Sequence, residues 1–151
     1  MDIEVLKQQL IEDEGCVYKI YRCTEGHPTA GIGHLITEWD EEYFSKPIGT
    51  EVSKEQVDEW FVKDIEKVID DCTILYDNFY ELPEEAQLII ANMMFNLGRP
   101  RLSAFRKMKV AVDDHNWIEA AIQMEDSKWA KQVPNRANRL CERMRNIGFV
   151  T

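Results

Sequence analysis

A chain of 151 residues with 44% hydrophobic and 30% charged side chains has the make-up of one folded globular unit large enough to bury a real core. Its net charge of −10 argues against nucleic acid as a partner, because phosphate binding requires a basic face. No apolar run approaches the roughly 18 residues of a membrane span.

The start, Met1-Asp2-Ile3-Glu4, has neither a basic nor an apolar signal region, so no leader and no stable membrane anchor are expected. The charge is uneven: residues 1–80 carry 19 acidic and 7 basic side chains, residues 81–151 carry 9 and 11. The acidic half reads as a solvated, solubilising surface. Cys16, Cys23, Cys72 and Cys141 form no C-x-x-C pair and no zinc-type spacing with His. Reduced thiols are expected, with no metal and no cofactor. Nothing demands an oligomer, and a monomer is expected.

Asp2 to Asp13 places Ile3, Val5, Leu6, Leu10 and Ile11 at helical spacing, with Asp2 as N-cap and Gly15 as the stop. Glu14 falls in the last turn or just beyond. Val17, Tyr18, Ile20 and Tyr21 are β-formers, followed by Thr24-Glu25-Gly26, His27-Pro28, Gly31 and Gly33. A small antiparallel ribbon with tight turns is expected. Trp39 to Ser45 reads as a short helix or an irregular loop.

Ser53-Lys54-Glu55-Gln56 is a capping box opening a long helix to about Cys72. Tyr76 to Leu82 predicts a further helix ended by Pro83. Pro83-Glu84-Glu85 favours a helix start, and Ala86 to Leu97 is apolar nearly all round, as the centre of a helical lobe would be. Ser103–Val112, His115–Met124 and Pro134–Ile147 predict the surrounding helices.

The chemistry concentrates between residues 14 and 34. Glu14, Cys23 and Thr29 bring a carboxyl, a thiol and a hydroxyl around the ribbon, with eight and five residues between them, and Gly-Ile-Gly-His follows. Gly31 and Gly33 serve tight backbone geometry, since neither a Rossmann nor a P-loop context surrounds them.

Further motifs stand in order along the chain. Asp-Glu-Gly at 13–15, Lys-Ile-Tyr at 19–21, Thr-Glu-Gly at 24–26 and Thr-Ala-Gly-Ile-Gly-His at 29–34 open the series. Asn92-Met93-Met94-Phe95-Asn96-Leu97-Gly98, Ser127-Lys128-Trp129 and Pro134-Asn135-Arg136-Ala137 continue it. In order and spacing the chain resembles the phage-type lysozymes, glycoside hydrolase family 24, over essentially its whole length. A divergent, shorter loop lies between about residues 37 and 50.

The resemblance implies an α+β, lysozyme-like fold. A small N-terminal lobe, about residues 13–60, carries the antiparallel β-ribbon. A long connecting helix, about 53–72, leads to a helical C-terminal lobe of about 75–151 plus the N-terminal helix 2–13. It implies hydrolysis of peptidoglycan glycan strands between N-acetylmuramic acid and N-acetylglucosamine. Glu14 would be the general acid, Arg136 would pair with it, and Thr29 would orient the attacking water. Glu25, Leu35, Asn96, Phe105 and Gln132 fall where the family contacts glycan. His34 would form a structural ion pair with Asp64. Val133 stands where the family often has a hydroxyl residue. The implied biology is a phage endolysin held in the host cytoplasm until a separate membrane-permeabilising protein releases it to the wall. The alternative is a catalytically weak glycan-binding or virion-associated module of the same fold.

Cys23 occupies the slot of the family's second carboxylate. Three readings stand open: a working thiol, a dead site, or a redox switch. The resemblance favours the first, because a subset of phage endolysins carries Glu-Cys-Thr at this spacing and is active. Anchored members of that subset are held inactive by a disulfide to the catalytic Cys, and Cys16 lies where such a partner would. If residues 17–22 are extended, however, Cys16 and Cys23 lie about 23 Å apart at ~3.3 Å per residue. A disulfide needs Cα atoms within roughly 7 Å. Cys72 and Cys141 read as helix-core thiols.

Overall fold

A computed structural model describes residues 1–149. The chain forms two compact units, Ile3–Lys67 and Met1–Asp2 with Val68–Thr151, the last two residues lying outside those described. The elements amount to the expected α+β architecture, with a three-stranded antiparallel sheet near the N-terminus and helices after it.

In the first unit, α1 (Ile3–Glu14) buries Leu6 and Leu10 completely. This helix falls in the same compact unit as the ribbon. Lys7 contributes to that grouping: its Nζ lies 3.7 Å from Asp58 Oδ1 and 5.5 Å from the centroid of the Phe61 ring. Gly15, at φ 78°, ends the helix and donates its amide to the Ile11 carbonyl at 2.8 Å. That positive φ costs glycine little and an L-residue more.

The sheet runs β1 (Val17–Arg22), β2 (Pro28–Gly31) and β3 (His34–Leu35) in that order. Tyr21 pairs with Thr29, and Thr29 with Leu35. The β1–β2 connection is a turn in which Gly26 donates to the Cys23 carbonyl at 2.8 Å and Cys23 to the His27 carbonyl at 2.9 Å. Gly26 supplies the left-handed residue, φ 83°, that a hairpin loop of this kind requires. Residues 49–52 cover the other edge of β1, with Ile20 donating to Thr50 O and Val52 to Tyr18 O. Trp39 to Ser45 forms successive turns, not a helix.

Helix α2 (Lys54–Leu75) opens on Ser53, whose Oγ accepts from the Gln56 amide at 3.1 Å. It runs past Cys72, the expected end, to Leu75. Ile20, Ala30, Ile32, Val57, Trp60 and Phe61 fill the first unit's core.

In the second unit, the helix expected over Tyr76–Leu82 is instead a single 3-10 turn, Phe79–Glu81. Leu82 precedes Pro83 and is extended, ψ 153°, because a residue before proline disfavours the helical region. Helix α3 (Glu84–Leu97) is buried along nearly its whole length and centres this unit. Around it lie α4 (Arg99–Leu102), α5 (Arg106–Asp113), α6 (Trp117–Glu125), α7 (Lys128–Gln132) and α8 (Pro134–Asn146). The helix expected from Ser103 starts only at Arg106, since Phe105, at φ −79° and ψ 60°, breaks it. Helix α4 was not read from the sequence; at four residues it is too short for a periodic pattern. Asn116 and Ser127 cap α6 and α7 through side-chain oxygens.

Candidate active site

Glu14 is the last residue of α1 and is half-buried. Its side chain lies against the backbone of Gly33. A Cβ on Gly33 would stand 2.9 Å from Glu14 Oε1 and 3.1 Å from its Cβ and Cδ. Gly33 also has φ +60°, so the position favours glycine for its conformation, and a side chain there would be a tight fit against Glu14. A Cβ on Gly31, at φ +63°, would likewise stand 3.1 Å from Val57 Cγ1 of α2. The Gly-Ile-Gly run is therefore a means of bringing backbone close to Glu14 on one side and α2 on the other.

Cys23 and Thr29 flank the hairpin turn. The Thr29 side chain is 2% exposed, and its hydroxyl donates to the His27 carbonyl at 2.9 Å. It also lies within hydrogen-bond reach of the Cys23 sulfur. Burial pushes the Cys23 thiol up. Hydrogen bonds from the His27 and Glu25 backbone and the Thr29 hydroxyl outweigh that effect and hold it below the ordinary thiol value, against the opposing charge of Glu25. The turn thus stabilises a thiolate.

Tyr21 belongs to this group and was not singled out by sequence reasoning. Its hydroxyl is pushed above the usual range by burial, then by the charges of Glu14 and Cys23, which places it near both. The signal available in advance was register: Tyr21 is two residues before Cys23 and pairs across the sheet with Thr29.

His34 Nδ1 lies 2.7 Å from Asp64 Oδ2, and its Nε2 lies 3.0 Å from Asp40 Oδ2. The imidazole stacks on Trp60, with centroids 4.3 Å apart and an interplanar angle of 14°. Burial lowers the affinity of His34 for a proton, but the two carboxylates more than compensate and raise its pKa above the ordinary value. Asp40 was not anticipated, because it comes from the divergent loop. Leu35 is half exposed on β3, and Glu25 stands at the exposed hairpin tip with its carboxylate 3.9 Å from His27 Nε2.

The remaining residues lie in the second unit. Asn96 Oδ1 accepts from the Trp129 indole at 2.7 Å, and Phe105 meets the same indole edge-on at 6.3 Å. Gln132 is exposed and accepts from Arg101 at 3.1 Å. Arg136 is 7% exposed and donates from Nε to Asn92 Oδ1 at 2.8 Å; Asn92 is fully buried. Val133 precedes Pro134 at the start of α8 and offers no side-chain cap. A surface groove of about 380 Å³ is lined by Phe105, Met108, Gln123 and Ser127 among others.

All four thiols are free. The Tyr18 hydroxyl hydrogen-bonds with Cys16, which raises the Tyr18 pKa, while Cys16 and Cys23 lie beyond opposite ends of the extended β1. Burial and Asp71 push the Cys72 thiol up to about 12. Burial and Glu125 push Cys141 up to about 11, against Arg145. Among the described residues no group of three or more His, Cys, Asp or Glu is placed to hold a metal ion, and no helix is long and apolar enough to cross a membrane.

The phage lysozyme family model matches residues 11–146. The chain is 31% identical to Probable T4-type lysozyme 2 of Dictyostelium discoideum, over 91% of this chain and 92% of that protein. It is 27% identical to the peptidoglycan hydrolase gp36 of Pseudomonas phage phiKMV, over 95% of this chain but 15% of that protein. It is 28% identical to the pre-baseplate central spike protein Gp5 of Enterobacteria phage T4, over 89% of this chain and 26% of that protein.

Proposed function

The chain belongs to the phage lysozyme family, and from that membership we propose that it is a muramidase cleaving the β-1,4 bond between N-acetylmuramic acid and N-acetylglucosamine in peptidoglycan. The observation that carries this reading is the Glu14 carboxyl held against Gly33 in the same unit as the Cys23–Thr29 pair. Glycoside hydrolysis requires one group to protonate the leaving oxygen and another to activate or replace water on the opposite face of the sugar. Glu14 donates the proton to the glycosidic oxygen. Thr29 orients a water, and the Cys23 thiolate takes that water's proton as its oxygen bonds to the anomeric carbon. The amides and hydroxyl that lower the thiol pKa support this role, because only the thiolate accepts the proton. Attack by sulfur itself would give a thioglycoside and retained configuration instead.

In this reading Arg136 and its Asn92 partner support the general acid. Glu25, Leu35, Asn96, Phe105 and Gln132 contact glycan, and the protein acts as a monomer. Its biological setting is a phage endolysin, made in the host cytoplasm and released to the wall by a separate membrane-permeabilising protein. The likeness to a spike protein and the sulfur at residue 23 favour one other reading, a weakly catalytic, glycan-binding virion module.

Purified peptidoglycan incubated with wild type, Glu14→Gln, Cys23→Ser and Cys23→Asp decides between them. Muropeptide release by wild type, lost by about 10²–10⁴-fold in Glu14→Gln, supports the hydrolase. No release by wild type, with release appearing in Cys23→Asp, supports the binding module. The anomeric configuration of the product separates activated water from a thioglycoside.

A further inference from the structure

Trp39 is 85% exposed, whereas the chain's other tryptophans, Trp60, Trp117 and Trp129, are 5%, 8% and 3% exposed. Its indole makes no hydrogen bond and no ring contact with the described residues. Tryptophan is highly buried on average, and a bare indole offers a flat apolar face with a polar N–H, the kind of surface that serves recognition.

The backbone beneath it is held firmly. The Asp40 amide donates to the Thr37 carbonyl at 2.9 Å, the Thr37 amide donates to Asp40 Oδ2 at 2.9 Å, and the Trp39 amide donates to Thr37 Oγ1 at 3.3 Å. The same Asp40 oxygen lies 3.0 Å from His34 Nε2, and His34 is fastened on its other side to Asp64. The turn that presents Trp39 is therefore tied to the residue between Gly33, which abuts Glu14, and Leu35, which pairs with Thr29. Along the chain, Trp39 lies at most about 13 Å beyond Leu35, at ~3.3 Å per residue.

The charges around it limit the occupant. Glu38, Asp40, Glu41 and Glu42 fall between Thr37 and Ser45, with no basic residue among them. An anionic lipid surface or a nucleic acid would be repelled. The apolar face of a pyranose ring carries no charge and matches a flat indole. A glycan polymer reaching a scissile bond beside Glu14 continues past it over a distance of this order.

We propose that Trp39 is a stacking platform for a sugar ring of the glycan strand, flanking the groups that carry out the chemistry. The substrate class rests on the muramidase reading above; the platform itself does not require cleavage. Trp39 binds and does not react.

Because Trp39 is the exposed indole, fluorescence reports on it directly. The probe is a hexamer of β-1,4-linked N-acetylglucosamine added to Glu14→Gln protein, read by acrylamide quenching. The hexamer is expected to shield the emission, and Trp39→Ala in the same background is expected to abolish that shielding. With Glu14 intact, Trp39→Ala is expected to raise KM on purified peptidoglycan about tenfold with kcat retained. That factor corresponds to covering on the order of 60 Å² of indole at ~25 cal/mol per Å². Trp39→Phe should recover most of the loss. Quenching unchanged by bound hexamer, shielding by phosphatidylglycerol vesicles in place of the hexamer, or a wild-type KM in Trp39→Ala overturns the proposal. A wild type that shields Trp39 with hexamer but releases no muropeptides defeats the hydrolase reading and leaves the platform standing. A wild type that cleaves with the same KM as Trp39→Ala does the reverse.

Discussion

Replacing Gly33 by alanine tests whether backbone proximity positions the Glu14 carboxyl, the proposed proton donor. The new methyl would stand 2.9 Å from Glu14 Oε1 and 3.1 Å from Glu14 Cβ and Cδ. The oxygen belongs to a flexible end and can swing away. The Cβ is fixed to α1, so relief requires either the helix end or the Gly33 segment to shift. The left-handed conformation adds about 1–2 kcal/mol for alanine, and the overpacked contact roughly 1–3. The sum, about 2–5 kcal/mol, lowers Tm by roughly 6–15 °C in a protein of this size. A displacement of about 1 Å at a catalytic group costs on the order of 100-fold in rate. Muropeptide release under saturating peptidoglycan, beside thermal denaturation, measures both effects. Gly49→Ala is the control, because Gly49 also has positive φ, +95°, but a methyl there would meet nothing within 4 Å. It should lose about 1–3 kcal/mol of stability from strain and keep kcat. Gly33→Ala with wild-type kcat would refute the positioning of Glu14 by this contact, whatever its Tm.

Three further outcomes are expected. Asp64→Asn should destabilise by about 1.5–3 kcal/mol at pH 5.5, the range for hydrogen bonds to charged groups, and by less at pH 9. The folded pKa of His34 is raised, so its ion-pair contribution is full below the unfolded value near 6.5 and is lost as pH climbs through the folded value; denaturant melts at the two pH values showing an equal or larger effect at pH 9 would contradict this. In a Cys16→Ser background, iodoacetamide should alkylate Cys23 first, with a rate midpoint below the ordinary thiol pKa, while Cys72 and Cys141 react only in denaturant. Peptide mass spectrometry after timed quenching provides the check. Asn92→Leu removes the buried acceptor of the Arg136 Nε–H and should cost about 2–3 kcal/mol in urea melts; a neutral result would show that this hydrogen bond contributes nothing.

Much of the architecture was legible in the chain because its causes are local. Ser53 and Gln56 cap a helix from three residues apart, Gly15 and Gly98 stop helices by conformation, and the apolar run from Ala86 to Leu97 has to be surrounded. The helix read into Tyr76–Leu82 failed because a proline governs the residue before it, and α4 escaped because four residues show no period. The site divides in the same way. Glu14, Cys23 and Thr29 stand out by residue type and order, but their surroundings come from farther along the chain. Gly33 meets Glu14 across two strands and the hairpin turn between them, and Asp40 reaches back from a divergent loop to His34. Asn92 meets Arg136 across 44 residues. Sequence alone determined which chemically capable side chains this protein carries and most of its helix and ribbon segments, since periodicity and capping act within a few residues. Only the tertiary structure decided the thiol's proton affinity, the close seat of Glu14 and the bare face of Trp39, because desolvation, packing and exposure depend on neighbours that local pattern does not specify.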